Sequence, residues 1–269
     1  MPDHAAEEAA SVDISSLPNF ENNINTFNSP DMGYDAYNMI KKDIGADPKG
    51  FKDLALQLSA ALRAREMYAE IGIDDKIFVD TMGCFSRFVK EHMVSFGHYG
   101  FDRGWWTWHQ LCLSIFRIGV LEYEKKIDDG KNVLSIHIPS DSAMTREALD
   151  ASYNMAAEFF KNKFKDYKFE YAYTDTWLLS PALRDMLPAG SKILDFMSDY
   201  KIVSSDPDAM DFFTWVFKIK HDDTVDYTTL PENTSLQRTV KKHLVAGGKI
   251  GNAKGILYKT NLAENGSCS

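Results

Sequence analysis

The hydrophobic period of this chain changes once, near Phe116, and that change limits the folds open to it. From Tyr34 to about Phe116, apolar residues recur every three or four positions, the spacing of one buried helix face. FKDLALQLSAALRAREMYAEIG carries Phe51, Leu54, Leu58, Leu62 and Met67 at that spacing. KIFVDTMGCFSRFVKEHMVSFG repeats it with Ile77, Phe78, Phe85, Phe88 and Val89. Beyond Phe116 the alternation of strands takes over. FRIGVLEYEKKI reads as a strand, Asp128-Asp129-Gly130 as a turn and KNVLSIHIP as its hairpin partner.

A helix is predicted from Met144 to Phe164, with Leu149, Tyr153, Ala156, Phe159 and Phe160 on its apolar face. KFEYAYTDTWLL follows as a strand, then a helical stretch from Ser180 to about Tyr200, divided near Pro188. MDFFTWVFKIK reads as a strand, TSLQRTVKKHLVAGG as a helix stopped by glycine, and KGILYKT as a last strand. The order after Phe116 is β-β-α-β-α-β-α-β, so the chain is expected to be α+β, a helical N-terminal region followed by a sheet with flanking helices. Residues 1–30 are expected to form a loose or wrapping arm, 31–115 a helical domain, 116–260 the sheet domain and 261–269 a loose tail.

Composition excludes some partners. The 30 Lys+Arg are outnumbered by 39 Asp+Glu, and no long basic run offsets the net charge of −9, so no nucleic-acid partner is expected. Cys84, Cys112 and Cys268 have no paired spacing and read as reduced thiols. The start, MPDHAAEEAASVDISS, lacks the basic and apolar regions of a signal peptide, and no apolar run suits a membrane span. The expectation is a cytoplasmic protein without a membrane partner. The histidines and cysteines lack metal-ligand spacing, so no metal is expected.

The stretch KNVLSIHIPSDSAMTREALD concentrates the candidate chemistry. Val133, Ser135 and His137 share one strand face, and an imidazole on a pocket wall can take a proton near neutral pH. A lone strand histidine is otherwise a hydrogen-bonded structural residue. Glu122 and Glu124 share a face of the preceding strand. Glu122 is a candidate to orient His137 or act as the base, with a solvent-facing role as its equal alternative, whereas Glu124 is expected to face water. Asp175 interrupts the aromatic alternation of Phe169, Tyr171, Tyr173 and Trp177, which makes it a third site candidate. Trp105 and Trp108, in GWWTWH, could form a ligand platform, although packing is the favoured reading. Asp141 is a candidate N-cap for the helix after Pro139, and Ser180 for the helix beginning at Pro181.

The order of elements, with the words FRIGVLEYE, LSIHIPSDS, TWLLSP and LPENTSLQR, resembles a bacterial acyltransferase-domain family. Its members join a helical N-acyltransferase N-terminal region to a GNAT-like C-terminal domain. The resemblance runs from about Tyr34 to Gly255. It implies a mixed sheet in which pantetheine lies beside a strand that splays from its neighbour, here Lys131–Pro139 parting from Lys168–Leu179, with the pyrophosphate at the start of the next helix.

The implied activity is transfer of an acyl group from acyl-CoA, acetyl-CoA foremost, to an amine or hydroxyl of a small molecule. His137, Glu122 and Asp175 would be catalytic. Ile136, Ile138, Ser140, Ser142 and Arg146 would meet the cofactor. Tyr123, Tyr173, Trp177, Trp105 and Trp108 would meet the substrate. At one place the sequence departs from the family: Pro139-Ser-Asp-Ser-Ala-Met-Thr-Arg146 lacks the glycines that let backbone amides approach a pyrophosphate. The alternative is therefore a non-catalytic binder of a small metabolite that keeps the fold without the phosphate loop.

Overall fold

The computed structural model describes residues 3–219 and 225–262, and Cys268, the 261–269 tail beyond Leu262 and part of the predicted strand at 210–220 lie outside them. The chain divides into two compact units at Ile118/Gly119.

The first unit is helical: α1 (Asp3–Ala10), α2 (Phe20–Phe27), α3 (Tyr34–Ile44), α4 (Phe51–Glu70), α5 (Asp75–Phe96) and α6 (Gly104–Leu111), closed by the short strand β1 (Ile115–Ile118). Residues 3–27 are not a loose arm. Ala5, Ala9, Ile24 and Phe27 are buried in the helical core, which repays the ordering of this polar segment. The buried face of α4 also differs from the predicted stripe. It runs through Phe51, Leu54, Ala60, Ala61, Ala64 and Tyr68, while Leu62 stands in solvent. Alanine lets neighbouring helices approach closely, so α4 packs through its small residues.

A buried polar network ties α3, α4 and α6 together. Asp53 is 2% exposed and accepts hydrogen bonds from Tyr37 Oη at 2.5 Å and Gln57 Nε2 at 2.9 Å. Gln57 also donates to the Gly104 carbonyl, and Thr107 Oγ1 donates to Gln57 Oε1 at 2.7 Å. Burial, then Asp53, pushes the Tyr37 phenol far above its ordinary value. Each carboxylate oxygen of Asp53 has a donor, which is what its burial demands.

The second unit is built on β2 (Leu121–Asp128), β3 (Lys131–His137), α7 (Arg146–Lys163), β4 (Ala172–Thr176), α8 (Ala182–Met186), α9 (Lys192–Met197), β5 (Tyr200–Asp206), α10 (Ser235–Val245) and β6 (Asn252–Leu257). These strands lie in the order β2-β3-β4-β6-β5. Asp129 and Gly130 both have positive φ, 51° and 75°, as a two-residue turn that matches strand twist requires, and they join β2 to β3 antiparallel. The crossover through α7 makes β4 parallel to β3, and β6 pairs antiparallel with β4 and β5, so the sheet is mixed.

Three sequence expectations are corrected here. FRIGVLEYEKKI is two strands, because Gly119 turns the chain with a φ of +64°. MDFFTWVFKIK is no strand: Phe213–Phe217 forms a π-helical turn, and β5 lies earlier, at Tyr200–Asp206. A short, mostly apolar segment fits a buried helical turn as well as a strand, which is why periodicity misassigned it. Finally, α7 begins at Arg146 with Thr145 as its N-cap, the Thr145 hydroxyl accepting from the Ala148 amide, so Asp141 does not cap it.

Candidate functional site

The ladder between β3 and β4 is short. Leu134 pairs with Ala172 and Ser135 with Tyr173, and there the pairing stops. β4 nevertheless continues, its Thr176 still paired with Ala253 of β6. The two parallel strands therefore part at their C-terminal ends. The Leu134 amide donates across to the Tyr171 carbonyl at 3.0 Å. By the two-residue alternation of main-chain groups, the Ile136 carbonyl and the Ile138 amide are next in line to face β4, beyond the last pair.

Register assigns the side chains around this opening. Glu122 is the Cα partner of His137, Glu124 of Ser135, and Ser135 of Tyr173, so all five project from one face. Asp175, two residues beyond Tyr173, shares that face and would oppose His137 had the ladder continued. Thus the sheet brings together His137, Glu122, Tyr173 and Asp175 of the sequence-predicted set.

Glu122 and Glu124 are 3% and 6% exposed, which overturns the expectation that Glu124 faces water. Its carboxylate is the partner of the half-buried imidazole: His137 Nε2 lies 3.0 Å from Glu124 Oε2. The contact runs diagonally across the β2–β3 pair, and a long side chain spans that distance.

Lys254 of β6 was not singled out by its sequence, yet it belongs to the same face. It is the register partner of Asp175, but its ammonium donates to Asp128 and lies 4.4 Å from the Tyr173 ring centroid. Tyr171 Oη also donates to Asp128, at 2.9 Å. These donors hold the Asp128 carboxyl below its usual range, and Asp128 in turn raises Lys254. The Asp175 carboxyl is pushed up, first by desolvation, with Asp211 and Asp206 adding to the effect against Lys254.

Other predicted site residues lie elsewhere. Tyr123 is a correction: strand alternation turns it to the opposite face, fully buried, where its hydroxyl meets Ser152 of α7 at 2.9 Å. Ile136, its register partner, is also buried on that side, leaving only its main chain toward the opening. Arg146 stands at the first position of α7, but its guanidinium bonds both oxygens of Asp199 at 2.9 Å and reaches Asp150 and Asp195. Ser142 Oγ donates to the Val120 carbonyl at 2.6 Å, and Ser140 is exposed. Trp177 is buried in the 3-10 turn after β4. Trp105 and Trp108 belong to the first unit, Trp108 stacked on His109 in its core and Trp105 partly exposed. Ser180 does not cap a helix with its side chain, because its hydroxyl is spent on the Ile250 carbonyl. Among the described residues, no group of His, Cys, Asp and Glu could hold a metal ion, and no helix is long and apolar enough to cross a membrane.

A mixed sheet with a parallel pair that splays beside a βα junction, following a helical N-terminal unit, is the architecture of a GNAT-like α+β protein. The sequence agrees: residues 115–257 match the GNAT-like C-terminal domain, and residues 16–113 match the N-acyltransferase N-terminal domain. The chain belongs to this family. An acyltransferase solved with decanoyl-CoA and teicoplanin is similar over 77% of this chain, at 26% identity and a TM-score of 0.71. This chain covers 65% of that protein's length. An acyltransferase mutant solved with octanoyl-CoA, at 22% identity, shares the fold over 96% of this chain and 84% of its own, with a TM-score of 0.80. No curated protein matches the chain.

Proposed function

We propose that this protein is an acyl-CoA-dependent acyltransferase that acylates an amine or hydroxyl of a small molecule. The observation that carries the reading is the parting of β3 and β4 after Ser135 and Tyr173. A slot of that kind accepts a thin, amide-bearing arm such as pantetheine, with the Ile136 carbonyl and the Ile138 amide as its hydrogen-bonding edge.

The chemistry needs no covalent enzyme intermediate. The acceptor's nitrogen or oxygen attacks the thioester carbonyl, the carbon–sulfur bond breaks, and CoA leaves as the thiolate, which takes up a proton. His137 removes the proton from the attacking group, and the fold supplies proximity. Glu122 and Asp175 are on the same face, suited to holding the acceptor. Tyr173 and Trp177 flank Asp175 in sequence. Acetyl-CoA is not favoured as the donor: the similar structures hold octanoyl-CoA and decanoyl-CoA, which support a medium-chain acyl group.

One observation favours a second reading, binding without turnover. The loop after Pro139 has no glycine, and two of its amides are spent internally, Ser142 on the Pro139 carbonyl and Thr145 on the Ala143 carbonyl. A single titration series separates the readings. Melting temperature is measured with acetyl-, octanoyl- and decanoyl-CoA and with free pantetheine, and acyl-CoA consumption is followed with a panel of amines. Stabilisation by octanoyl-CoA with consumption supports the transferase, and no shift with any CoA removes the transferase and supports the binder of another small metabolite.

A further inference from the structure

We infer that Glu124 is the residue that positions His137 for proton transfer, an inference that rests on the transferase reading and assigns a role no sequence signal gave it. Register makes Glu122 the Cα partner of His137, so Glu122 is the neighbour that strand pairing alone would nominate. The imidazole instead bonds Glu124, across the diagonal, at 3.0 Å. Sheet twist shortens one diagonal of an antiparallel pair and lengthens the other, and here the short one joins Glu124 to His137.

Three features fit this role. The Glu124 side chain is 7% exposed against 28% for His137, so the carboxylate is the anchored member of the pair and the ring is the member turned toward solvent. A carboxylate has only acceptor oxygens, so against Glu124 Oε2 the ring nitrogen Nε2 is the donor, as N–H. In a neutral ring that tautomer carries its lone pair on Nδ1. Glu124 therefore fixes both the plane of the ring and its proton, and it stabilises the imidazolium that forms as the acceptor's proton arrives. Placement helps as well: His137 ends β3 where the ladder to β4 has stopped, so its ring needs a holding group from β2.

The test is a double-mutant cycle on the full chain with octanoyl-CoA and an accepted amine, using Glu124→Gln, His137→Ala and the double variant. Glutamine keeps the size of the side chain and removes its charge. The expected result is a kcat lowered about 10²-fold by Glu124→Gln, the lower end of a general base's contribution, with KM for both substrates within a factor of about two. The double variant should be no slower than His137→Ala alone. Nitrogen-15 spectra of the histidines supply a readout independent of turnover: the resonances lost in His137→Ala should report protonated Nε2 in the wild type and move in Glu124→Gln. An unchanged kcat, or losses that multiply in the double variant, overturns the role of Glu124 and leaves the transferase intact. A wild-type protein that consumes no acyl-CoA overturns the transferase and this inference together.

Discussion

Ser135 and Tyr173 are the last Cα partners between β3 and β4, and β4 runs on to Thr176 in register with β6 without β3 beside it. A sheet ordinarily gains by extending its ladder, so an interrupted parallel pair leaves main-chain groups that need another partner. The Ile138 amide is such a group. Replacing Ile138 by proline removes that donor outside both ladders of β3. Octanoyl-CoA affinity should fall about tenfold, the worth of one hydrogen bond, as measured by calorimetry. Unchanged affinity would place the cofactor elsewhere.

The helix that follows the opening is set by Thr145, whose hydroxyl accepts from the Ala148 amide. Thr145→Ala should cost about 1 kcal/mol in urea unfolding, the usual loss of an N-cap. The same variant should leave the m-value unchanged, because no core surface is involved.

The Asp128–Lys254 pair gives a pH dependence with a definite sign. Asp128 is held below its ordinary 3.8 by the hydrogen bonds from Lys254 and Tyr171. A depressed carboxyl adds stability that is present above the unfolded value and is lost as pH falls through the folded one. Asp128→Asn should therefore lower the urea midpoint at neutral pH and flatten the part of its acid decline that lies below pH 3.8. An acid limb as steep as the wild type's would show that the pair contributes nothing.

In the first unit, Asp53 is buried among Tyr37, Gln57 and Lys41. Asp53→Ala leaves Tyr37 Oη and Gln57 Nε2 short of an acceptor and opens a cavity, so unfolding free energy should drop by about 2–4 kcal/mol. Chemical denaturation followed by tryptophan fluorescence measures it, and a loss under about 0.5 kcal/mol would mean that water replaces the carboxylate.

Much of this architecture can be read from local chemistry. Asp129-Gly130 announces the β2–β3 hairpin because few other residue pairs accept two positive φ values. Leu149, Tyr153, Ala156, Phe159 and Phe160 mark the buried side of α7 through their spacing, and all five are buried. The misses are physical as well. Phe213, Val216 and Phe217 are buried in a π-helical turn whose apolar residues carry no strand period. Ala60, Ala61 and Ala64 bury α4 although they are weak hydrophobic signals. The bond from Glu124 to His137 depends on which diagonal the twisted pair shortens, and Lys254 reaches its partner across two strands. Neither relationship is local, so the face of the site was legible while its pairings were not.

Amide hydrogen exchange with and without saturating octanoyl-CoA reports where the pantetheine arm lies. Exchange should slow at Ile138 and in the adjoining loop to Thr145, with the already paired Leu134 and Tyr173 amides little changed. Protection confined to other segments, or none at all despite measurable binding, would contradict a pantetheine site between β3 and β4.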